Sequence, residues 1–313
     1  MYASNWLPWL LAPAMMSDST YSYQFSSEAS WFTDYAEAAR SCPQSKLITQ
    51  PNLGLLDLVN KSGNGSLGES QGWDRFARYI QHLNGQGDPG VLYKVLLVVR
   101  HGRSVHNVVM DEVGSAEWKR HWSKLEGDKN RTWFDAELVG EGVDQAKSLG
   151  TFFTEGAKNM GFSVPDTVYT SPLARCLETT KFVFKDVMEG EGKAFKPRVK
   201  ELLRERLTEH TCDRRRTSKW IMAAYPEYEL ETGFADKDVF WHANRSESNA
   251  EHVARTQRLL EDIWKEDSGT FIALITHSFA LSSILEVIHA PHFRVGEGVM
   301  TAFLVKGQRL GID

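Results

Sequence analysis

The sequence predicts an α/β fold, a mostly parallel central sheet with helices on both faces. Three observations predict it. Two uninterrupted apolar runs, Val95-Leu96-Leu97-Val98-Val99 and Phe271-Ile272-Ala273-Leu274-Ile275, read as strands buried on both faces. Stretches with helical spacing alternate with strand-like ones through the second two-thirds of the chain. Reactive polar side chains gather just past the ends of the strand-like runs, where open α/β sheets bind their ligands.

The 313 residues, 42% hydrophobic and 25% charged, are enough for one large α/β domain or two small ones, with a sizeable core. A net charge of −5 favours neither nucleic acid nor an anionic membrane as partner, so any bound anion needs a local positive pocket. The three cysteines, Cys42, Cys176 and Cys212, show no CxxC spacing, which argues against a disulfide framework or a zinc site and fits a reducing compartment. Residues 6–16 have the length of a signal h-region but lack a basic n-region, and their small-x-small candidate, Ala12-Pro13-Ala14, contains a proline. A cytoplasmic location is therefore expected over secretion. No run approaches the ~18 apolar residues of a membrane span.

In chain order, residues 1–30 are rich in Ser and Tyr and are expected to be poorly ordered. Residues 31–313 are expected to form a single domain, with 31–90 as an extension packed on its core. Residues 62–72 read as a Gly/Ser-rich loop. Trp73, Phe76, Ala77, Ile80 and Leu83 then follow helical spacing, and turn residues over 84–90 end that helix. After the 95–99 strand come shorter strands over 167–170 and 198–203, the strand over 271–275, and a last one over 300–305. Helices are expected over 142–160, 172–188, 250–265 and 279–288.

The first strand runs into Arg100-His101-Gly102-Arg103-Ser104-Val105-His106-Asn107. An Arg-His pair at the end of a buried strand is costly unless it faces a cleft. Gly102 would let the chain turn and a ligand come close. An imidazole can attack phosphorus, and Arg100 can pair with phosphate oxygens. The second strand ends in Ser171-Pro172-Leu173-Ala174-Arg175: Ser171 reads as an N-cap, Pro172 as the first helical residue, and Arg175 as a first-turn residue. Arg is the wrong charge for a helix start on dipole grounds, and an anionic ligand would explain it. The 271–275 strand ends in Thr276-His277-Ser278. Each of these sites alone could be ordinary solvated polarity. Together, three strand ends bring two histidines and two arginines to one face of a sheet, the make-up of a phosphate site.

Arg-His-Gly after the first strand, Ser-Pro-Leu-x-Arg before a helix, and a late His between strand and helix resemble the histidine phosphatase (phosphoglycerate-mutase-like) superfamily, over about residues 93–305. The resemblance implies that His101 is the phosphorylated nucleophile. It implies that Arg100, Arg175 and His277 complete the positive pocket, that Asn107 and Ser104 bind phosphate, and that Ser278 lies among the substrate-binding residues. Thr276-His277-Ser278 departs from the Gly-His-Gly or Ser-His-Gly common in the family, and Arg103-Ser104 replaces the Glu-Thr of small mutases. The longer form His-Gly-x-x-x-His-Asn, followed by Trp118, Trp122 and Trp133, is similar to a fungal mutase-like branch that also carries an N-terminal segment like residues 32–58.

A leaving alkoxide must be protonated. Glu205, just past the 198–203 strand where the family's acid commonly lies, is the first choice, with Glu201 and Glu209 as rivals. Arg214-Arg215-Arg216 reads either as a grip for further anionic groups or as a solvated basic turn. His210-Thr211-Cys212 and His289-Ala290-Pro291-His292 each lack two partner ligands at suitable spacing, so no metal and no other cofactor is expected. Cys176 reads as a small packing residue. The implied function is a phosphatase acting on a small phosphorylated substrate. The alternatives are a phosphomutase primed by a bisphosphate and a non-catalytic phosphate-binding protein.

Overall fold

The structure is a computed structural model that describes residues 21–56 and 72–311. In chain order its elements are β1 (Tyr21–Ser27), α1 (Tyr35–Arg40), β2 (Lys46–Leu47), α2 (Gly72–Gln86), β3 (Val91–Arg100), α3 (Val105–Val113), α4 (Ser115–Arg120) and α5 (Gly140–Met160). They continue with β4 (Thr167–Thr170), α6 (Ala174–Gly190), β5 (Arg198–Val199), α7 (Ser218–Ala224), β6 (Glu229–Leu230), α8 (Asn249–Glu266), β7 (Phe271–Thr276), α9 (Ser278–Val287), β8 (Arg294–Val295) and β9 (Met300–Gly311).

Seven strands form one sheet in the order β1-β9-β3-β7-β4-β5-β6, and β2 pairs with β8 beside it. Strands β3, β7, β4, β5 and β6 run parallel, while β9 and β1 add an antiparallel edge. The sheet is thus mostly parallel, and its central strands are buried throughout: residues 94–99 of β3 and all of β7 have no exposed position. Each such Val, Leu or Ile contributes about 1.5–3 kcal/mol by leaving water. That burial is what makes a continuous apolar run prefer the centre of a sheet. No helix among the described residues is long and apolar enough to cross a membrane.

Residues 31–55 and α2 join the same core. Phe32, Tyr35, Leu47, Leu53, Trp73, Phe76 and Ile80 are buried in the cluster that contains β3, β7 and β9. Trp73 donates its indole N–H to the Asn52 side chain at 3.0 Å, and Tyr35 donates its hydroxyl to Leu53 O at 2.7 Å. A polar handle at each end lets a large aromatic sit inside without an orphaned donor.

Three expectations need correction. Residues 21–27, within the stretch expected to be poorly ordered, are strand β1, paired with β9 from Tyr21↔Gly311 to Ser27↔Val305. The alternation Tyr21-x-Tyr23-x-Phe25 is the period of a half-buried strand, and Phe25 packs edge-on against Trp264 at 4.9 Å. Residues 1–20 of that stretch lie outside the described residues, as does the Gly/Ser-rich loop apart from Gly72. The strand expected over 198–203 is only two residues long, because Glu201–Leu203 turn into a 3-10 helix while the Glu231 carboxylate takes the Glu201 N–H at 2.7 Å. The last strand continues past Val305 to Gly311, where β1 supplies its ladder partners.

Candidate active site

The parallel register of the central strands builds the site. Arg100 of β3 lies opposite Thr276 of β7, and Thr170 of β4 lies opposite Ile275. The residues that follow therefore leave the sheet side by side. His101 and His277 meet edge to face with ring centroids 5.0 Å apart, and Ser171 places its hydroxyl 2.9 Å from His277 Nε2. His101, Arg175 and His277 are 3%, 1% and 0% exposed, so the two rings and the Arg175 charge gather away from bulk water.

His101 is held in one protonation state and one tautomer. Burial, then the Arg175 and Arg100 charges, push its pKa well below the ordinary 6.5, so the ring is neutral at neutral pH. Its Nδ1 lies 2.8 Å from Gly102 O, an acceptor only, so Nδ1 carries the proton. Nε2 is left with its lone pair, toward which Arg175 Nε–H donates at 3.2 Å. A neutral imidazole with Nε2 bare is the form a nucleophile needs.

Gly102 has a different reason from the one read in the sequence. A Cβ there would lie 2.4 Å from Gly142 O, and a Cβ on Gly142 would lie 1.9 Å from Arg103 O. The two backbones touch, so the start of α5 braces the loop that carries His101.

Arg175 sits in the first turn of α6, but its neighbours do other work than expected. The helix begins at Ala174 with Leu173 as N-cap, so Pro172 is not its first residue. The Ser171 hydroxyl is spent on His277 instead of a cap. Arg175 Nη1 donates to Cys212 O at 2.8 Å, and Nη2 lies 3.6 Å from Asp213 Oδ1. Arg100 is anchored through Nη1 to Val295 O at 2.7 Å and through Nη2 to Glu297 at 2.8 Å. Among the described residues its buried Nε–H has no partner. Such an orphaned donor beside two histidines suits an incoming oxygen.

Ser104 precedes α3, and Asn107 lies in its first turn. Asn107 Oδ1 accepts from Ser104 N at 3.1 Å and from the Ser104 hydroxyl at 2.9 Å. Both residues are buried beside His101, with the His106 ring between them.

Glu205 reaches the site from beyond the 201–203 turn. Its carboxylate accepts from the N–H groups of Phe279 (3.3 Å) and Ala280 (3.1 Å) and from the Ser278 hydroxyl (3.4 Å), at the start of α9. Burial, then the charge of Asp213, raise its pKa; the N–H groups and Arg175 oppose without cancelling the shift. Its rivals are committed elsewhere. Glu201 is buried between Arg204 (3.2 Å) and Arg215 (2.6 Å), and Glu209 pairs with Lys124 at 3.4 Å. Ser278 touches Glu205.

The description "Histidine phosphatase superfamily (branch 1)" belongs to the family model that matches residues 96–294. An Arthroderma benhamiae protein named "Probable phosphoglycerate mutase" is 41% identical over 234 residues, covering 75% of this chain and 70% of the relative. The chain belongs to the histidine phosphatase superfamily. A Saccharomyces cerevisiae relative, "Probable phosphoglycerate mutase PMU1", is 30% identical over 68% of this chain and 79% of its own length, which places this superfamily member in a fungal mutase-like branch. Among solved structures, phosphoglycerate mutase from Bacillus anthracis is similar at 17% identity and TM-score 0.44, covering 68% of this chain and 88% of that one.

Several residues that shape the site in this superfamily member had no local signal. Asp135, at φ 42° and fully buried, accepts from Ala174 N at 2.8 Å and Arg216 N at 2.9 Å, tying the helix that carries Arg175 to the 211–216 segment. Arg255 of α8 donates to Leu202 O (2.8 Å), Arg204 O (3.1 Å) and Glu205 O (3.0 Å), and pairs with Glu247. It thereby cradles the turn that presents Glu205. The basic triplet is not one feature: Arg215 is buried, while Arg214 and Arg216 are partly exposed and pair with exposed glutamates. Arg215 is buried on Glu201 and four backbone carbonyls. Arg216 pairs with Glu137 at 3.1 Å and covers Trp220, while Arg214 pairs with Glu126 and covers Phe134.

His210 and Cys212 gain a third neighbour that the spacing did not show. Their ligand atoms and those of Asp213 lie within 4.8 Å of one another, the one such group of three among the described residues. Asp213 already accepts from Thr208 Oγ1 at 2.5 Å and faces Arg175. Burial, then Asp213, hold the Cys212 thiol protonated, so the set is a poor match for a cation. Cys176 is buried with Sγ 3.5 Å from Thr276 O and 3.4 Å from His277 Nε2.

Proposed function

We propose that this protein is a metal-independent phosphatase that hydrolyses a small-molecule phosphomonoester through a phosphohistidine at His101. The observation that carries the reading is the state of that ring: neutral, protonated on Nδ1 by its bond to Gly102 O, with Nε2 bare beside Arg175. In the first step the Nε2 lone pair attacks phosphorus and the bond to the leaving oxygen breaks. Arg100 Nε, Arg175, Asn107 and His277 stabilise the equatorial oxygens. The raised pKa of Glu205 suits it to hold a proton and pass it to the leaving oxygen. In the second step water attacks phosphorus, Glu205 takes the water proton, and the P–N electron pair returns to Nε2 as inorganic phosphate forms. The three cysteines are unpaired, in keeping with a cytoplasmic enzyme.

The second reading is a phosphomutase primed by a bisphosphate, and the names of the fungal relatives favour it. A mutase must clamp a second phosphate while its intermediate turns round. The basic triplet, the one candidate for that clamp in the sequence, is already paired with carboxylates, carbonyls and rings of this chain, which favours hydrolysis.

The deciding experiment incubates the protein with an aryl phosphate and with 3-phosphoglycerate, with and without a bisphosphoglycerate primer and EDTA. The expected result is free phosphate without primer, unaffected by chelator, with acid-labile phosphate on His101 after brief mixing. A primer requirement with no free phosphate would give the mutase reading instead. Loss of activity in EDTA, restored by a divalent ion, would remove both.

A further inference from the structure

Ser104, His106 and Asn107 close a ring of hydrogen bonds whose directions are all determined. Asn107 Oδ1 accepts the Ser104 backbone N–H at 3.1 Å, so the amide cannot be flipped without setting two N–H groups against each other. That carbonyl oxygen also takes the Ser104 hydroxyl proton at 2.9 Å. The hydroxyl oxygen must then accept from His106 Nδ1, 2.7 Å away, so the His106 proton sits on Nδ1. His106 Nε2 is left as an acceptor, and the Asn107 amide donates to it at 3.1 Å. Only the neutral Nδ1–H tautomer satisfies all of these bonds.

We propose that His106 is a positioning residue of the phosphoryl site: its Nε2 holds one amide N–H of Asn107, so that the other is presented to a phosphoryl oxygen. This rests on the phosphatase reading for the role of Asn107. An Asn side chain free to rotate about its last bond would spend part of its time with the amide turned away, and fixing it removes that cost from substrate binding. The surroundings keep His106 in the one state that works. Burial, then the charges of Arg175 and Arg100, lower its pKa. Trp118 of α4 lies across the ring at 6.4 Å, and His101 lies 6.0 Å away on the β3 side. A proton on Nε2 would face the Asn107 amide donor and open the ring.

Two isosteric variants separate positioning from mere packing. His106→Gln places a carbonyl oxygen near the Nε2 position and can still accept from Asn107. His106→Asn places its amide near Nδ1, keeps a donor for Ser104, and leaves Asn107 without its acceptor. Orthovanadate binding, read by intrinsic tryptophan fluorescence, is the probe, with thermal unfolding run alongside. The expected result is about a tenfold weaker Kd for His106→Asn, the worth of one hydrogen bond to an anion, and less than a threefold change for His106→Gln. In an Asn107→Ala background the two substitutions should have equal and small effects.

Equal losses in both variants with Asn107 present, or an undiminished difference with Asn107 removed, would overturn the proposal. Wild-type turnover and phosphohistidine formation are measured in the same series. Their absence would count against the phosphatase reading, while the vanadate comparison tests His106 independently.

Discussion

Arg175 Nε–H points at His101 Nε2 from 3.2 Å, along the lone pair that would attack phosphorus. The same guanidinium is tied to Cys212 O and faces Asp213, so its position does not depend on a ligand. On the proposed mechanism, an incoming phosphoryl group would take over a donor already aimed at the reaction line, leaving little reorganisation for the transition state.

Replacing either partner of that pair has distinct consequences. His101→Ala should abolish turnover and leave no phosphate on the protein. Arg175→Lys keeps a charge but loses the planar fork, and kcat should fall by about 10²–10³-fold. Rapid-quench phosphorylation assays check both. A His101→Ala variant with near-normal rate would exclude the mechanism.

Glu205→Gln should lower kcat on alkyl phosphates by about 10²–10⁴-fold, the usual worth of a general acid. The loss should shrink with an aryl phosphate, whose leaving group needs less protonation. The wild-type rate should fall on the alkaline side as Glu205 loses its proton, and that limb should vanish in the variant. The raised pKa places it above the ordinary 4.5 of a Glu. Comparing pH–rate profiles on the two substrates is the check. Equal losses on both would move the acid role elsewhere.

Acid should weaken the fold by forcing protons onto histidines that are buried neutral. His101, His106 and His277 have pKa values well below 6.5, each lowered chiefly by burial, and burial lowers His252 to about 2. Their unfolded forms bind protons near 6.5 while the folded forms do not. The stabilisation is therefore complete above the unfolded pKa and is lost as pH falls below it. Tm, followed by circular dichroism, should drop between about pH 7 and pH 5.5. A flat profile across that window would show that these rings are not held neutral.

Gly142→Ala should be more damaging than a methyl group suggests. Its Cβ would meet Arg103 O at 1.9 Å, so the start of α5 or the His101 loop must move. A loss of about 1–3 kcal/mol is expected, as for other overpacked interiors, together with reduced kcat in the protein that remains folded. Gly140→Ala, two residues earlier with open space around its Cβ, is the control. Similar denaturation midpoints for the two variants would contradict the bracing role.

The sequence alone determined the frame and the reactive ends. The apolar runs at 95–99 and 271–275 had to be central strands because only burial on both faces suits them. His101 and His277 had to sit at their ends because each follows its run directly. Tertiary structure alone decided how every charge near the site is spent. Arg100 is anchored by Glu297 from 197 positions away, and Glu205 is presented by Arg255 from 50 away, so neither tie leaves a mark in local spacing. Glu201, Glu205 and Glu209 look alike along the chain. Only folding shows the first buried between two arginines, the third paired at the surface, and the second turned to the start of α9. A local pattern records that a residue is charged. Whether that charge meets a counter-ion or an open cleft depends on chain segments that pack beside it only in the folded state.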